Sequence, residues 1–318
     1  MLSKRTRSII ATLIIFVVVL IFATAWLFAT NLVTPAYIHH TPEQGLHPRN
    51  EPPYEVPRWG SALNNPLQDF GLAYEDVEFP AVDGSTLRGW LIPASNNRSE
   101  AVVAVHGGEG DRRSFMRHVP MLYQAGYTVL LFDYREHGIS DGDSRGIAFG
   151  WRANHDVSSA VAFIKQQRSY SRVAVLGTSM GAVSAIIAGA KTPAIDVVIA
   201  ENPFATAHDV LGDADFFDKL PLWYRKLVAY FVRVHFDVLD EPNAIDVVNQ
   251  IAPRPLLLMH GTTDQAVGFW QSEKLFDQAG HPKEIWILEG AEHTALFNKA
   301  PEEFQHRVVG FLDRYLRE

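Results

Sequence analysis

The chain has 318 residues, no cysteine and a formal net charge of −8 at pH 7. The lack of cysteine excludes a disulfide framework and thiolate metal sites. An acidic chain without a basic segment beyond its N-terminal tail is a poor candidate for nucleic-acid binding. The length fits one folded domain of about 250 residues preceded by shorter N-terminal segments.

The first predicted element is a membrane-spanning helix at residues 9–29. Residues 9–28 are almost entirely apolar, and about 20 helical residues at ~1.5 Å each cross the ~30 Å hydrocarbon core of a bilayer. Small residues at 23–25 and 29–30 leave a second interpretation open, in which the segment is a cleaved signal peptide and the protein is secreted. The length of the run favours the anchor, because the apolar part of a signal peptide is usually ~7 to 15 residues long.

The charges around this helix predict its orientation. Lys4, Arg5 and Arg7 precede the apolar run, and the next Lys or Arg is Arg49. Positively charged flanks stay in the cytoplasm. We therefore predict a cytoplasmic tail at 1–8 and place the rest of the chain after the helix outside the cytoplasm, held at the cell membrane.

A proline-rich tether and then a regular α/β pattern follow the anchor. The prolines between residues 41 and 57 favour an extended spacer, and we assign 30–72 to the tether and 73–318 to the catalytic domain. Two β-like runs come first, joined by a turn at Asp83–Gly84. Strands then alternate with helical segments, which is typical of βαβ units and a mainly parallel sheet.

The strongest catalytic signal is a Gly-Thr-Ser-Met-Gly motif centred on Ser179. A β-branched run precedes it and a small-residue helical run follows it, which is the strand–turn–helix order of a nucleophile elbow. Gly177 and Gly181 let the turn close, and the N-terminus of the helix directs backbone N–H groups towards developing negative charge. A second Gly-x-Ser-x-Gly lies among turn-forming residues without helical periodicity, so we predict that its Ser140 is a loop serine.

A serine nucleophile needs a base and an acid that orients the base. Asp264 follows an apolar run that ends at Gly261, and His293 follows a strand-like run at 283–288. Loops at the carboxyl ends of parallel strands open on the same edge of the sheet, so we expect Ser179, Asp264 and His293 to converge. Serine, then acid, then histidine is also the chain order expected after a nucleophile elbow.

Other residues compete for these roles. Asp133 and Glu201 also follow predicted strands and are alternatives for the acid, although chain order and spacing favour Asp264. Of the 13 histidines, His106 is expected to shape a loop after an early strand and His260 to end a strand. The sequence has no His-Glu-x-x-His motif and no acidic cluster at ligand spacing, so we expect no metal.

Together these motifs resemble the α/β-hydrolase family over about residues 74–318. The likeness includes the His-Gly-Gly loop at 106–108, the loop at 132–140, the elbow and the two C-terminal loops, in the family's order. It points to single-domain bacterial hydrolases of the serine aminopeptidase-like and esterase-like group. The resemblance implies an α/β-hydrolase fold, with a mainly parallel eight-stranded sheet flanked by helices. The chain departs from it at Glu136, where family members often have glycine, and this leaves the backbone of that loop open.

The resemblance also assigns roles to individual residues. It makes Ser179 the nucleophile, His293 the general base and then acid, and Asp264 the carboxylate that holds His293 in the required tautomer. The backbone N–H groups of Gly108 and Met180 would form the oxyanion hole.

An insertion at about 205–252 matches the place of the short helical lid in this family. It is rich in large apolar residues such as Trp223 and Tyr230, which would line an apolar substrate pocket. Ordinary helix packing against the domain is the alternative. Contact with the membrane surface is a third interpretation, because Arg225 and Lys226 lie among these aromatic residues.

We therefore expect a membrane-anchored serine hydrolase that cleaves a carboxylic ester or thioester through an acyl-enzyme intermediate, without a cofactor. Its expected partners are a small-molecule or lipid-like acyl substrate and the membrane, and the oligomeric state is left open. Cleavage of short peptides is an alternative, in which Asp213, Asp215 and Asp218 would capture a free amino terminus. A non-catalytic relative that binds a ligand or partner is a further alternative.

Overall fold

A computed structural model describes residues 3–33, 63–95, 98–108, 110–143, 145–213 and 219–317. Within these ranges the strands are β1 Glu75–Pro80, β2 Thr86–Ile92, β3 Glu100–Val105, β4 Thr128–Asp133, β5 Arg172–Thr178, β6 Val197–Glu201, β7 Leu256–Gly261 and β8 Lys283–Leu288. They form an 8-stranded sheet in the order β1-β2-β4-β3-β5-β6-β7-β8. The sheet is parallel from β4 to β8 and antiparallel at its β1–β2 and β2–β4 pairs.

Helices connect the strands and cover the sheet. In the described ranges the α-helices are α1 Lys4–Leu32, α2 Pro66–Phe70, α3 Val119–Gln124, α4 Ala153–Ala162, α5 Met180–Lys191, α6 Ala207–Asp213, α7 Leu222–Phe236, α8 Ala244–Val247, α9 Trp270–Gln278, α10 Leu296–Lys299 and α11 Pro301–Leu316. The 3-10 helices Arg112–His118 and Val248–Ile251 and a π-helical turn at Phe163–Gln167 complete the connections. The predicted α/β-hydrolase architecture is confirmed, including the helical insertion between β6 and β7.

Both faces of the central strands are buried. Strands β4, β6 and β7 contain only buried residues, as expected where helices cover both sides of a parallel sheet. Neighbouring residues of β3 point in opposite directions, so that Val103 packs in one apolar layer with Ile186 of α5, and Val102 in the other with Phe304 of α11. Complete burial of such a side chain contributes roughly 1.5–3 kcal/mol. The packed sheet is therefore a rigid base for the loops at its edge.

The first two strands form the predicted hairpin. The Ala81 N–H donates to the Ser85 carbonyl at 2.7 Å, and the Gly84 N–H donates to the Ala81 carbonyl at 3.0 Å. Gly84 has a φ of 88°, which glycine adopts without strain. The prediction of a turn at Asp83–Gly84 is confirmed.

Helix α1 contains the whole of the predicted anchor segment, 9–29, and is long and apolar enough to cross a membrane. Only 6% of its most apolar 18-residue stretch is buried, so it is not a core helix of the domain. Most of the predicted tether, from residue 34 to residue 62, lies outside the described residues.

Candidate active site

Ser179 occupies the sharp turn between β5 and α5. Its φ of 54° and ψ of −121° are a strained conformation for a residue other than glycine. Small neighbours make the turn possible, because a Cβ atom at Gly177 would lie 2.3 Å from the Gly181 carbonyl oxygen, and one at Gly181 would lie 2.3 Å from that of Val105. The Ser179 N–H donates to the Glu201 carbonyl at 2.8 Å, which ties the turn to β6. The structure thus has the strand–turn–helix arrangement predicted around Ser179.

The three residues predicted to form a triad lie together. His293 Nε2 is 2.9 Å from Ser179 Oγ, and His293 Nδ1 is 2.7 Å from Asp264 Oδ2. Asp264 follows β7 and His293 follows β8, so both project from the edge at which β5 ends. When Nδ1–H donates to the carboxylate, Nε2 is left to accept the hydroxyl proton of Ser179. This geometry can support removal of that proton.

The carboxylate of Asp264 is surrounded by hydrogen-bond donors. Besides His293, Oδ2 accepts from Asn202 Nδ2 at 2.7 Å and from His260 Nε2 at 3.1 Å. Oδ1 accepts from the two backbone N–H groups of residues 266–267 at 2.9 and 2.8 Å. Burial by itself would raise the pKa of the Asp264 carboxyl, but hydrogen bonds from the two histidines outweigh it and hold the pKa below its ordinary value. Asp264 is therefore an ionised, rigidly oriented acceptor.

His260, at the end of β7 as predicted, is fully buried and bonded through both ring nitrogens. Nε2 lies 2.9 Å from the Val267 carbonyl oxygen and 3.1 Å from Asp264 Oδ2, and Nδ1 lies 2.6 Å from Ser272 Oγ. A neutral ring with its proton on Nε2 satisfies all three contacts, since Nδ1 then accepts from the serine hydroxyl. His260 is thus a positioning residue for Asp264.

The glycine loop after β3 passes beside Ser179. A Cβ atom at Gly107 would lie 3.3 Å from Ser179 Cβ, and one at Gly108 would lie 3.6 Å from Met180 Sδ. His106 Nδ1 is 2.7 Å from the Gly107 carbonyl oxygen. Because the C=O and N–H of a trans peptide point in opposite directions, this bond also orients the Gly108 N–H. The two predicted oxyanion donors therefore belong to the immediate surroundings of Ser179.

Two buried histidines hold this loop in place. Burial, followed by the charge of neighbouring His137, lowers the pKa of His106 to about 3. His106 is therefore neutral; it donates from Nδ1, and its Nε2 accepts the Tyr134 N–H at 3.4 Å. His137 Nε2 lies 3.0 Å from the Gly108 carbonyl oxygen, and its Nδ1 lies 2.9 Å from that of Arg135. The expectation that His106 shapes the loop agrees with these contacts.

A largely apolar cavity of about 310 Å³ opens beside Ser179 and His293. Its wall includes large apolar residues from several elements, among them Phe115, Ile147, Phe149, Phe204, Val210 and Phe297. Phe204 and Val210 belong to the connection between β6 and β7, so this connection lines the cavity in part. Residues 214–218 of the predicted lid lie outside the described residues. The cavity has the size and lining of a site for a small apolar group.

Comparisons with known proteins show the family. A family model described as Serine aminopeptidase, S33 (Hydrolase_4) matches residues 96–249. Uncharacterized protein Rv2307c of Mycobacterium tuberculosis is 30% identical over 250 residues, which cover 77% of this chain and 80% of that protein. The structure of esterase Pf2001 of Pyrococcus furiosus matches with a TM-score of 0.66 and 28% identity, covering 80% of this chain and 96% of the esterase chain. The chain belongs to the α/β-hydrolase superfamily.

Uncharacterized protein YfhR of Escherichia coli K12 is a further relative of this hydrolase. It is 26% identical over 250 residues, which cover 75% of this chain and 80% of YfhR. The family and the esterase neighbour support a hydrolase of the α/β type.

The two other candidate acids of the hydrolase have different partners. Asp133 forms a buried ion pair with Arg112, with 2.7 Å between Oδ2 and Nη2. Glu201 accepts a hydrogen bond from the Leu296 N–H at 3.3 Å, and burial raises its pKa to about 7. The contact with His293 Nδ1 therefore favours Asp264 as the acid.

Ser140, from the second Gly-x-Ser-x-Gly motif, lies in the loop after β4 as predicted. Its hydroxyl donates to the Asp133 carbonyl at 2.7 Å and accepts from the Arg88 N–H at 2.8 Å. These bonds join the loop to β2 and give Ser140 a structural role.

The sequence patterns did not single out three residues that hold Asp264 in place, directly or through one another: Asn202, His260 as a partner of Asp264, and Ser272. Asn202 directly follows β6 and His260 ends β7, so their positions at strand ends could have placed them at this edge. Ser272 lies on α9, and only the packing of that helix brings it to His260. Within the described residues, no group of three or more acidic or histidine side chains is arranged to hold a metal ion.

Proposed function

We propose that the chain is a membrane-anchored serine hydrolase that cleaves a carboxylic ester or thioester through an acyl-enzyme intermediate. The observation that carries this proposal is the hydrogen-bonded series from Ser179 Oγ through His293 to Asp264, with Ser179 on a strained turn. A packing serine would need neither the strained turn nor a histidine that is itself oriented by a carboxylate.

In the proposed reaction, Ser179 Oγ attacks the acyl carbonyl while its proton passes to His293 Nε2. The developing oxyanion lies against the N–H groups of Gly108 and Met180, which are oriented before the reaction begins. His293 then protonates the leaving group as its bond to the acyl carbon breaks. Water attacks the acyl-Ser179 ester by the same route, giving its proton to His293 and releasing the acid.

Ester or thioester cleavage fits the site best. The cavity beside Ser179 has an apolar wall suited to an acyl group, and the solved neighbour at 28% identity is named an esterase. The family model described as Serine aminopeptidase favours peptide cleavage as a second candidate. Of the acidic residues predicted to capture an amino terminus, Asp213 ends α6, and Asp215 and Asp218 lie outside the described residues. Turnover of aminoacyl amides rather than short-chain esters would favour this second candidate.

The exposed, apolar α1 supports anchoring in the cell membrane, with the basic residues before it in the cytoplasm and the catalytic domain outside. A protease added to spheroplasts should digest the catalytic domain and leave a fragment containing α1. Full protection of the domain would reverse the proposed topology, and a mature N-terminus beyond residue 23 would identify a cleaved signal peptide.

The catalytic proposal is tested by labelling the purified full-length protein with a fluorophosphonate. We expect stoichiometric labelling that is lost in Ser179→Ala and kept in Ser140→Ala. The second variant is the matched control, since Ser140 lies in the same type of motif. Labelling of Ser179→Ala, or no labelling of folded wild-type protein, would contradict the proposal.

A further inference from the structure

We propose that α7 lies in the membrane leaflet next to the catalytic domain, and that the hydrolase takes an acyl ester directly from this leaflet. The inference rests on the proposed serine hydrolase function and on α1 as a membrane anchor. It adds a membrane-binding surface, defined by the exposed apolar side chains of α7, and a substrate class, a bilayer-resident ester.

The first observation is that α1 packs against α7. The Tyr224 hydroxyl donates to Thr24 Oγ1 at 2.9 Å, and the Trp26 ring packs edge-on against Phe231, with 5.6 Å between centroids. Trp26 also contacts His235, at 6.2 Å between centroids. From Tyr224 to His235 these contacts extend along about 17 Å of α7, whereas their partners on α1 lie between Phe22 and Phe28, about 9 Å at ~1.5 Å per residue. Tyr224 and His235, at the two ends of this stretch of α7, contact the same part of α1, at residues 24–28 and at residue 26. The two helices therefore cross, and α7 lies across the axis of α1.

The second observation is the length of α1 that the protein leaves uncovered. Every residue from 7 to 20 is exposed, and contact with the domain begins at Ile21. At ~1.5 Å per residue this uncovered part is about 20 Å long, whereas the hydrocarbon core of a bilayer is ~30 Å thick. If α1 spans the bilayer, about 10 Å of the part that packs against α7 must also lie in the hydrocarbon region. The helix that crosses α1 at this level must then meet lipid.

The third observation is the character of the exposed face of α7. Four large apolar side chains of α7 are between 37% and 55% exposed: Leu222, Trp223, Tyr230 and Val234. Trp and Tyr are enriched where proteins meet the membrane interface. Beside this face lie the exposed Lys226 and the half-buried Arg225, and α7 contains no acidic residue, in a chain with a net charge of −8. An apolar face with basic residues beside it is typical of helices that bind anionic membrane surfaces.

The wall of the active-site cavity is joined to the C-terminal end of α1. The Ile147 N–H donates to the Val33 carbonyl, directly after α1, at 2.7 Å. Ile147 and Phe149 are part of the cavity wall, as is Val210 of α6. The wall of the active-site cavity is therefore hydrogen-bonded to the backbone at the C-terminal end of α1. An ester whose acyl chain lies in the adjacent leaflet would have a short path to Ser179.

Depth measurements on single-cysteine variants test the surface independently of catalysis. The chain has no cysteine, so Trp223→Cys and Tyr230→Cys can each carry one environment-sensitive nitrobenzoxadiazole label. Trp270→Cys is the matched control, because Trp270 is another exposed tryptophan (41%), on α9. In vesicles of phosphatidylcholine and phosphatidylglycerol, we expect nitroxides on the lipid acyl chains to quench the labels on α7 at least 3-fold more than the control label. Equal quenching at all three positions would overturn the proposal.

A ratio of activities tests the substrate class. Full-length protein in the same vesicles is assayed with a water-soluble short-chain ester and with a long-chain ester that resides in the bilayer. We expect Trp223→Glu and Tyr230→Glu to lower the ratio of bilayer-ester to soluble-ester turnover by at least 10-fold, and Trp270→Glu to leave it within 2-fold of wild type. Labelling by a fluorophosphonate shows that each variant is folded. An unchanged ratio in both α7 variants would overturn the proposed substrate source.

The two measurements separate failure of this inference from failure of the proposed function. In one outcome, wild-type protein shows neither ester turnover nor fluorophosphonate labelling while lipid nitroxides still quench the labels on α7. This outcome would refute the proposed hydrolase function and support the proposed membrane-binding surface. Normal turnover of the soluble ester without lipid quenching of the α7 labels would refute the proposed membrane-binding surface and support the proposed hydrolase function.

Discussion

Replacement of Asp264 by asparagine is expected to inactivate the hydrolase by changing the tautomer of His293. The Asp264 carboxylate accepts hydrogen bonds at both oxygens, from two backbone N–H groups on one side and from three side chains on the other. An asparagine has one oxygen and one NH₂ group in place of these two acceptors. In either orientation, the NH₂ group of the asparagine must therefore face N–H groups that donate to the carboxylate in the wild-type protein.

The free-energy cost of each of the two possible orientations of the asparagine amide determines which tautomer His293 adopts. With its NH₂ group towards residues 266–267, asparagine would leave two fixed backbone donors without an acceptor, at about 1–3 kcal/mol each. With the NH₂ group on the other side, His293 can move its proton from Nδ1 to Nε2, and His260 keeps the Val267 carbonyl as the acceptor of its Nε2–H, so only the Asn202 amide loses its acceptor. We expect the second orientation. His293 Nδ1 then becomes an acceptor, and the proton on Nε2 points at Ser179 Oγ, 2.9 Å away, where it blocks removal of the serine proton.

The expected loss in kcat is about 10³- to 10⁴-fold, or about 4–5.5 kcal/mol in transition-state free energy. Turnover of a short-chain ester measures it, with thermal melting to show that the variant is folded. Asp264→Ala is the informative comparison, because it removes the acceptor without forcing the wrong tautomer and should retain more activity than Asp264→Asn. Equal or greater activity of Asp264→Asn would refute the reasoning from tautomers.

Three further predictions concern stability. Burial raises the pKa of the Glu201 carboxyl from 4.5 to about 7, so the folded state binds the carboxyl proton more tightly than the unfolded state. The resulting stabilisation of the folded state is complete below about pH 4.5. It is lost, by about 3 kcal/mol, as the pH rises through 7. The Tm of Glu201→Gln relative to that of wild type should therefore increase between pH 5 and pH 8. A Tm difference that does not change with pH would contradict the raised pKa of Glu201. Arg112→Met leaves the Asp133 carboxylate buried without its partner and should lower the free energy of unfolding by about 3–5 kcal/mol; a loss below 1 kcal/mol in urea unfolding would argue against the ion pair. Ser140→Ala should lower that free energy by about 1–3 kcal/mol through its two lost hydrogen bonds and leave ester turnover within 2-fold; loss of turnover equal to that of Ser179→Ala would reverse the choice between the two motifs.

Local patterns were sufficient for the sheet, the elbow and the strand-end positions of the polar residues. An apolar run that stops at a glycine predicts a strand followed by a loop, and parallel strands bring such loops to one edge. For this reason the sequence could place Ser179, Asp264 and His293 near one another, and could place His106 in the glycine loop.

The choice among residues at the same edge depended on distances that no local pattern encodes. Asp133 and Glu201 end strands and Asp264 lies just after one, and only the tertiary structure shows that His293 Nδ1 contacts Asp264 while Asp133 pairs with Arg112. Likewise, Ser140 and Ser179 share a motif, but their different turns give one a structural role and place the other beside a histidine.

The sequence by itself determined a mainly parallel α/β sheet and the apolar N-terminal helix, because both follow from periodicity and length, which are local properties of the chain. The α/β-hydrolase architecture followed from the resemblance of its motifs, in their order, to that family. Only the tertiary structure decided which donors surround Asp264, how His106 orients the Gly107–Gly108 peptide, and that α7 packs across α1. These features depend on contacts between residues far apart in sequence, and their geometry is set by how the sheet, the helices and the insertion pack together.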